Sequence, residues 1–226
     1  MMKEEAITIH KERDALILGF PRPALTLSWA VLNGGFCRAD HIVNHHVDAG
    51  DLDFAADPKG WLQRRVGLLN LEGKIVAMAT AVDMAFLIQI AFSNGVRETV
   101  CFATVGCSNA LSVGDMASFQ NDKTASLHTI NMILLVRPGL REEAMVEAVQ
   151  IATEGRVRAL HEAGVLSRQS GLPATGTGTD CIAVVSLGED PLRYCGKHTS
   201  LGEMIGLAAY TAVKTGVEKG RAGANP

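Results

Sequence analysis

Four polar clusters in this sequence combine residue types that can hold and transform a small molecule. They are Asn33-Gly34-Gly35; Gly106-Cys107-Ser108-Asn109-Ala110 with Gly114-Asp115; Ala174-Thr175-Gly176-Thr177-Gly178-Thr179-Asp180; and Gly196-Lys197-His198-Thr199 followed by Leu201-Gly202-Glu203. Together they offer side-chain amides, hydroxyls, carboxylates and an imidazole. Glycines let a ligand approach the backbone closely, and neutral amide and hydroxyl groups suit a ligand that carries several amides of its own. Each cluster also has a plainer reading. Asn-Gly-Gly is ordinary turn chemistry, and Thr199 or Ser200 reads as the N-cap of a following helix. The Thr-Gly-Thr-Gly-Thr run is not a phosphate loop: it lacks the Gly-Lys-Ser/Thr ending, and a strand, not a helix, follows it.

Two further chemistries come from single residue types. His41 and His45 are spaced i, i+4 with His46 adjoining, and Asp40 or Asp48 could complete a zinc site if the segment were helical. The segment lacks the H-E-x-x-H pattern and reads equally well as extended chain, so no metal or other cofactor is expected. Cys107 follows an apolar run and is a candidate nucleophile only if the fold brings it to a base.

The elements that must position these groups are legible in outline. Ala6–His10, Ala15–Phe20 and Leu25–Val31 read as an antiparallel meander, with Pro21 and Pro23 separating the last two strands. Asp57-Pro58 caps and opens a short helix whose apolar face carries Trp61, Leu62, Val66 and Leu69. Residues Ile75–Met84 fit strand or helix equally. Phe86–Phe92 and Val96–Val105 flank Ser93-Asn94-Gly95 and predict a hairpin. Leu127–Val136 and Cys181–Leu187 read as buried strands, Arg141–Ala163 and Leu201–Val217 as helices. Strands early and helices late predict a single α+β domain over residues 1–215, a mainly antiparallel sheet with helices packed outside it. Residues 216–226 are expected to form a flexible tail.

Composition narrows the partners. The chain has 226 residues, 47% hydrophobic and 20% charged, with a formal charge of -3, which fits a folded protein without a basic face for nucleic acid. The apolar stretch Ile75–Phe92 carries Asp83 and Gln89 near its middle. An aspartate at a bilayer centre costs about 2.5 to 3.5 kcal/mol, so no membrane span is expected. Acidic residues near the start do not match a secretory signal. Five cysteines without a C-x-x-C pair read as reduced thiols in a cytoplasmic protein. A small molecule is the expected partner, and homo-oligomerisation is left open.

Taken together, the clusters resemble the adenosylcobinamide amidohydrolase family of corrinoid salvage. The matching stretches are Ser28–Gly35 with Asn44 and Val47, Thr104–Asp115, Gly176–Asp180 and Tyr194–Gly206, the last being the most specific. The resemblance implies hydrolysis of the amide between the aminopropanol arm and the corrin ring of adenosylcobinamide, giving adenosylcobyric acid. In that family a small aliphatic residue commonly stands where Cys107 is and a threonine where Lys197 is, so no cysteine nucleophile is implied and the role of position 197 stays open.

Amide hydrolysis needs an activated nucleophile, oxyanion stabilisation and a proton for the departing amine. The resemblance and the inventory together point to His198 as base and then acid, oriented by Asp180 or Glu203. Asn33, Gly34, Gly35, Asn44, Thr104, Asn109, Thr177, Thr179 and Thr199 are the expected substrate-binding residues. A non-catalytic corrinoid- or nucleotide-binding module, or a zinc amidase using His41, His45 and His46, are the alternatives.

Overall fold

Pro21 and Pro23 do not separate two strands. In a computed structural model, which describes residues 6–48, 51–117 and 128–223, both lie inside one long strand, β2 (Ala15–Ser28). Its register against β3 (Gly35–His46) shifts between Gly19 and Ala24, and Pro21, Arg22 and Pro23 are exposed there. The irregularity removes the need for a ladder hydrogen bond, which is why proline is tolerated.

The main sheet also contains β1 (Thr8–Lys11), β4 (Ile75–Thr80), β5 (Ile88–Ser93), β6 (Glu98–Val105), β8 (Ile130–Arg137) and β10 (Cys181–Ser186). Its order is β4-β3-β2-β10-β8-β6-β5, with β1 paired to β2. A small second ladder joins β7 (Ala110–Leu111) to β9 (Gly176–Thr177). The expected α+β class holds, but the sheet is mixed: β3 with β4 and β8 with β10 are parallel. Each parallel pair is joined through helix. The chain runs from β3 through α1 (Leu52–Ala56) and α2 (Pro58–Gly67) to β4, and from β8 through α3 (Glu142–Glu162) to β10. Parallel neighbours need such a crossover, and the long helix of the second one was legible without its consequence for strand direction.

Apolar side chains from the two ends of the strand order share one core. Leu16, Leu18, Ile42, Val76 and Met78 pack with Phe102, Ile133, Leu135, Ala183 and Val185. The sheet therefore folds back on itself into two facing layers. The outer face of one layer is covered by α1 and α2, where Ile17, Val43 and Ala77 meet Phe54, Trp61 and Leu62. The outer face of the other is covered by α3 and the last helix, α4 (Ser200–Gly223), where Met132, Leu134 and Val184 meet Met145, Ala152, Ile205 and Ala209. Each fully buried Leu, Ile or Phe contributes about 1.5–3 kcal/mol relative to exposure.

Several local expectations are met. Asp57 caps α2, its Oδ1 accepting from Gly60 N at 2.9 Å, and Pro58 begins the helix. Asn94 closes the β5–β6 hairpin, its Oδ1 accepting from Arg97 N at 2.9 Å. Ile75–Met84 resolves as strand β4 followed by a tight turn over Met84–Phe86 that Asp83 caps. The last helix is longer than expected: residues 216–223 are helical, and Gly216 and Val217 are buried, where a tail was read. Leu127 and residues 118–126 of the polar connection lie outside the described residues. Among the described residues no helix is long and apolar enough to cross a membrane.

Candidate active site

Asp180 ends the Thr-rich loop immediately before β10. Its carboxylate accepts from Ile130 N at 3.0 Å, Thr177 N at 2.9 Å and the Thr177 hydroxyl at 2.5 Å, and it pairs with Arg156 of α3 at 2.9 Å. The two side chains of the ion pair are 7% and 11% exposed. Arg156 also donates to Thr175 O at 3.2 Å, and the Trp29 indole donates to Asp180 O at 2.5 Å. Asp180 thus ties the loop to the first residue of β8 and to α3 through its carboxylate, and to the turn after β2 through its backbone carbonyl.

The same end of the sandwich collects three of the four clusters. Ala110 faces Thr177 and Leu111 faces Gly176 in the small ladder, and Val113 N donates to Thr175 Oγ1 at 2.8 Å. Asn109 is half-buried and Thr179 exposed beside this ladder. Asp115 accepts from Ser112 N at 2.7 Å and from the Ser167 hydroxyl at 2.5 Å, and its carboxyl is held below the usual range by the hydrogen bond from Ser167 and then by that from Ser170. Gly35 pairs with Ser28 at the end of β2, next to Trp29. Asn33 turns its amide away to β4, donating to Ile75 O at 2.7 Å.

Beneath the clusters lies a buried polar bridge between the two layers. Asn44 of β3 donates to the Thr104 hydroxyl of β6 at 3.0 Å, and Asn131 of β8 donates to Asn44 Oδ1 at 2.9 Å and to Ala79 O at 2.8 Å. Asn44 and Asn131 are each 2% exposed and Thr104 is fully buried. Buried amides must be satisfied, and this bridge does so with side chains from three strands. Asn131 and Arg156 were not singled out in the sequence. The signal for Asn131 was present: an amide inside the otherwise apolar run Leu127–Val136 has to find a partner.

Cys107 and Ser108 begin the loop after β6. Burial, and secondarily the charge of Asp180, push the Cys107 thiol up to about 11, so it carries almost no thiolate near neutral pH. Ser108 is exposed, and its hydroxyl lies in close hydrogen-bonding contact with Nδ1 of His128, a residue sequence reasoning also missed.

The fourth cluster is elsewhere. Thr199 caps α4: its hydroxyl accepts from Gly202 N at 3.0 Å and donates to Gly196 O at 2.9 Å. A Cβ at Gly202 would come within 2.2 Å of Cys195 O, so glycine is required where the turn packs on the helix. Lys197 pairs with Glu154 at 2.7 Å, Cys195 N donates to Glu147 at 2.8 Å, and His198 and Glu203 are exposed. Ser200 bonds Arg97 beside the first residue of β6, whereas Thr104 is near its last. Gly216 of α4 packs against Val105. Sixteen residues separate it from Ser200, which is about 24 Å along the helix at 1.5 Å per residue. The structure therefore brings Asp180, Thr177, Thr179, Asn109, Asn44 and Thr104 to one end and leaves His198, Thr199 and Glu203 at the other. Asp180 does not contact His198.

His41, His45 and His46 lie on β3, an extended strand and not the helix that a zinc site at i, i+4 spacing would need. There His41 and His45 are about 13 Å apart at 3.3 Å per residue, and His46 points to the opposite face from His45. His45 and His46 line a polar cleft of about 390 Å³ with Asp14, Asp48, Asp51 and Asp83. Among the described residues no three His, Cys, Asp or Glu side chains are grouped to hold a metal ion.

A two-layered sheet flanked by helices, with amides and hydroxyls gathered at one end, describes an α+β protein whose sequence blocks converge in space. This chain belongs to the adenosylcobinamide amidohydrolase family, which it matches over residues 1–224. It is 27% identical over 197 residues to an adenosylcobinamide amidohydrolase of Methanosarcina mazei, covering 83% of this chain and 87% of that protein. It is also 27% identical over 220 residues to an uncharacterized protein of Methanocaldococcus jannaschii, covering 90% of this chain and 85% of that one.

Proposed function

We propose that this protein hydrolyses the amide joining the aminopropanol arm to the corrin ring of adenosylcobinamide, releasing aminopropanol and adenosylcobyric acid. The observation that carries this reading is the convergence around Asp180 of Ser28–Gly35, Thr104–Asp115 and Gly176–Asp180, three of the blocks on which the family resemblance rests. The Methanosarcina mazei relative, an adenosylcobinamide amidohydrolase, supports it.

The inventory at that end suits the reaction. The substrate's rim carries several uncharged amides, and Thr179, Thr175 and Asn109 supply uncharged donors and acceptors to match them. Asp180 is the organiser of the loop, since four contacts already use its carboxylate. Asn44, Thr104 and Asn131 hold the two layers in register beneath the site. Thr199 serves the fold as the α4 cap, and His198 and Glu203 are assigned no chemical step. Incubation with adenosylcobinamide and analysis for released aminopropanol tests the reading. Retention of the corrinoid unchanged would make the protein a binding module instead.

A further inference from the structure

We propose that Ser108 is the nucleophile of the hydrolysis and His128 its general base; the assignment rests on the amidase reading above. Ser108 and His128 come from two segments locked together, because Gly106 N donates to Thr129 O at 3.0 Å. A Cβ at Gly106 would lie 3.1 Å from the His128 Cβ, so the absence of a side chain lets the histidine lie against this backbone and meet the hydroxyl two residues on. The pair is poised beside the Asp180 knot. Two residues after Ser108, Ala110 pairs with Thr177, and one residue before it Cys107 feels the charge of Asp180.

Other candidates at this end are committed. The Thr177 hydroxyl is held by Asp180 at 2.5 Å, and the Cys107 thiol stays protonated. His198 is at the far end of α4. An exposed serine whose hydroxyl reaches an imidazole nitrogen is the arrangement that nucleophilic catalysis requires.

The step balances as follows. Ser108 Oγ bonds to the amide carbonyl carbon while its proton passes to His128 Nδ1, and the carbonyl π pair moves onto oxygen. The intermediate collapses with cleavage of the C–N bond, and the nitrogen takes the proton from His128 and leaves as aminopropanol. A water molecule, deprotonated by the same imidazole, then attacks the ester on Ser108. The serine takes back the proton, and the corrinoid leaves as its carboxylic acid.

The test compares wild type, Ser108→Ala and His128→Ala in two assays: release of aminopropanol from adenosylcobinamide, and covalent labelling by a fluorophosphonate located by peptide mass spectrometry. Ser108 is exposed, so Ser108→Ala leaves folding intact, which circular dichroism verifies. The expected result is labelling of wild type at Ser108, no labelling of either variant, and a kcat loss of at least about 10²-fold, the lower range for a general base, in both. Wild type that turns over, with Ser108→Ala equally active, overturns the nucleophile assignment and leaves the amidase reading standing. Wild type labelled at Ser108 but inert on adenosylcobinamide supports the Ser–His pair and overturns the substrate. Wild type that is neither labelled nor active overturns both.

Discussion

Arg156 of α3 and Asp180 of the Thr-rich loop meet at 2.9 Å with both side chains almost wholly buried. The contact explains an aspartate at the end of Thr-Gly-Thr-Gly-Thr without giving it a proton to move. An ion pair out of water is maintained only when its remaining hydrogen-bonding capacity is used, and here Ile130 N, Thr177 N and the Thr177 hydroxyl use it.

Removing one partner should therefore be costly. Asp180→Ala is expected to lower the unfolding free energy by about 3–5 kcal/mol, because the Arg156 charge is left buried and alone. Adding Arg156→Met should recover part of the loss. Urea unfolding of the two variants checks this, and a loss below about 1 kcal/mol for Asp180→Ala, the scale of an exposed pair, would contradict the burial argument.

The Asn44–Thr104–Asn131 bridge makes a second prediction. Asn44→Ala strands the Thr104 hydroxyl and one contact of Asn131, each worth about 1–3 kcal/mol when left unsatisfied in a buried site. Asn131→Ala should cost a similar amount, and the double variant less than the sum, since the two amides share one hydrogen bond. Additive losses in chemical denaturation would separate the residues.

Much of this architecture was legible and some was not, for physical reasons that differ by element. The Asp57-Pro58 helix start, the Asn94-Gly95 hairpin and the α3 helix, expected over Arg141–Ala163 and found over Glu142–Glu162, follow from local chemistry of capping, turns and periodicity. The fold-back of β2 does not: Pro21 and Pro23 signal a break, and only the neighbouring strand shows that pairing resumes beyond them. The polar clusters were visible as residue types, but the split of His198 from Asp180 depends on where α4 begins and ends. The Tyr194–Gly206 block, the most specific in sequence, owes Gly202 and Thr199 to a helix cap and sets Gly206 against Ile151 of α3.

For His198 the proposed mechanism departs from the sequence expectation, because the residue lies away from Asp180. His198→Ala is expected to keep kcat near wild type, against the roughly 10²–10⁴-fold loss shown when a general acid–base residue is removed. Steady-state kinetics on adenosylcobinamide decide it, and a loss in that range in a folded variant would return the histidine to the mechanism.

The thiols set an alkaline limit. Burial raises Cys107 to about 11 and Cys101, Cys181 and Cys195 to about 12, above the ordinary value of 9.0. A raised thiol pKa stabilises the fold fully below pH 9.0, and that contribution is lost as pH rises from there through the folded values, because the unfolded chain ionises first. Unfolding free energy should fall as pH is raised above 9.0, and Cys107→Ser should fall less steeply while retaining turnover. A flat profile to pH 11 would contradict the burial of these thiols.

The central claim is the reaction itself, and one measurement reaches it directly. Purified protein is incubated with adenosylcobinamide, and the mixture is analysed by mass spectrometry for adenosylcobyric acid and free aminopropanol. The account predicts equal amounts of the two products, formed catalytically and without added nucleotide or reductant. Recovery of unaltered adenosylcobinamide, with or without added divalent metal, would contradict it.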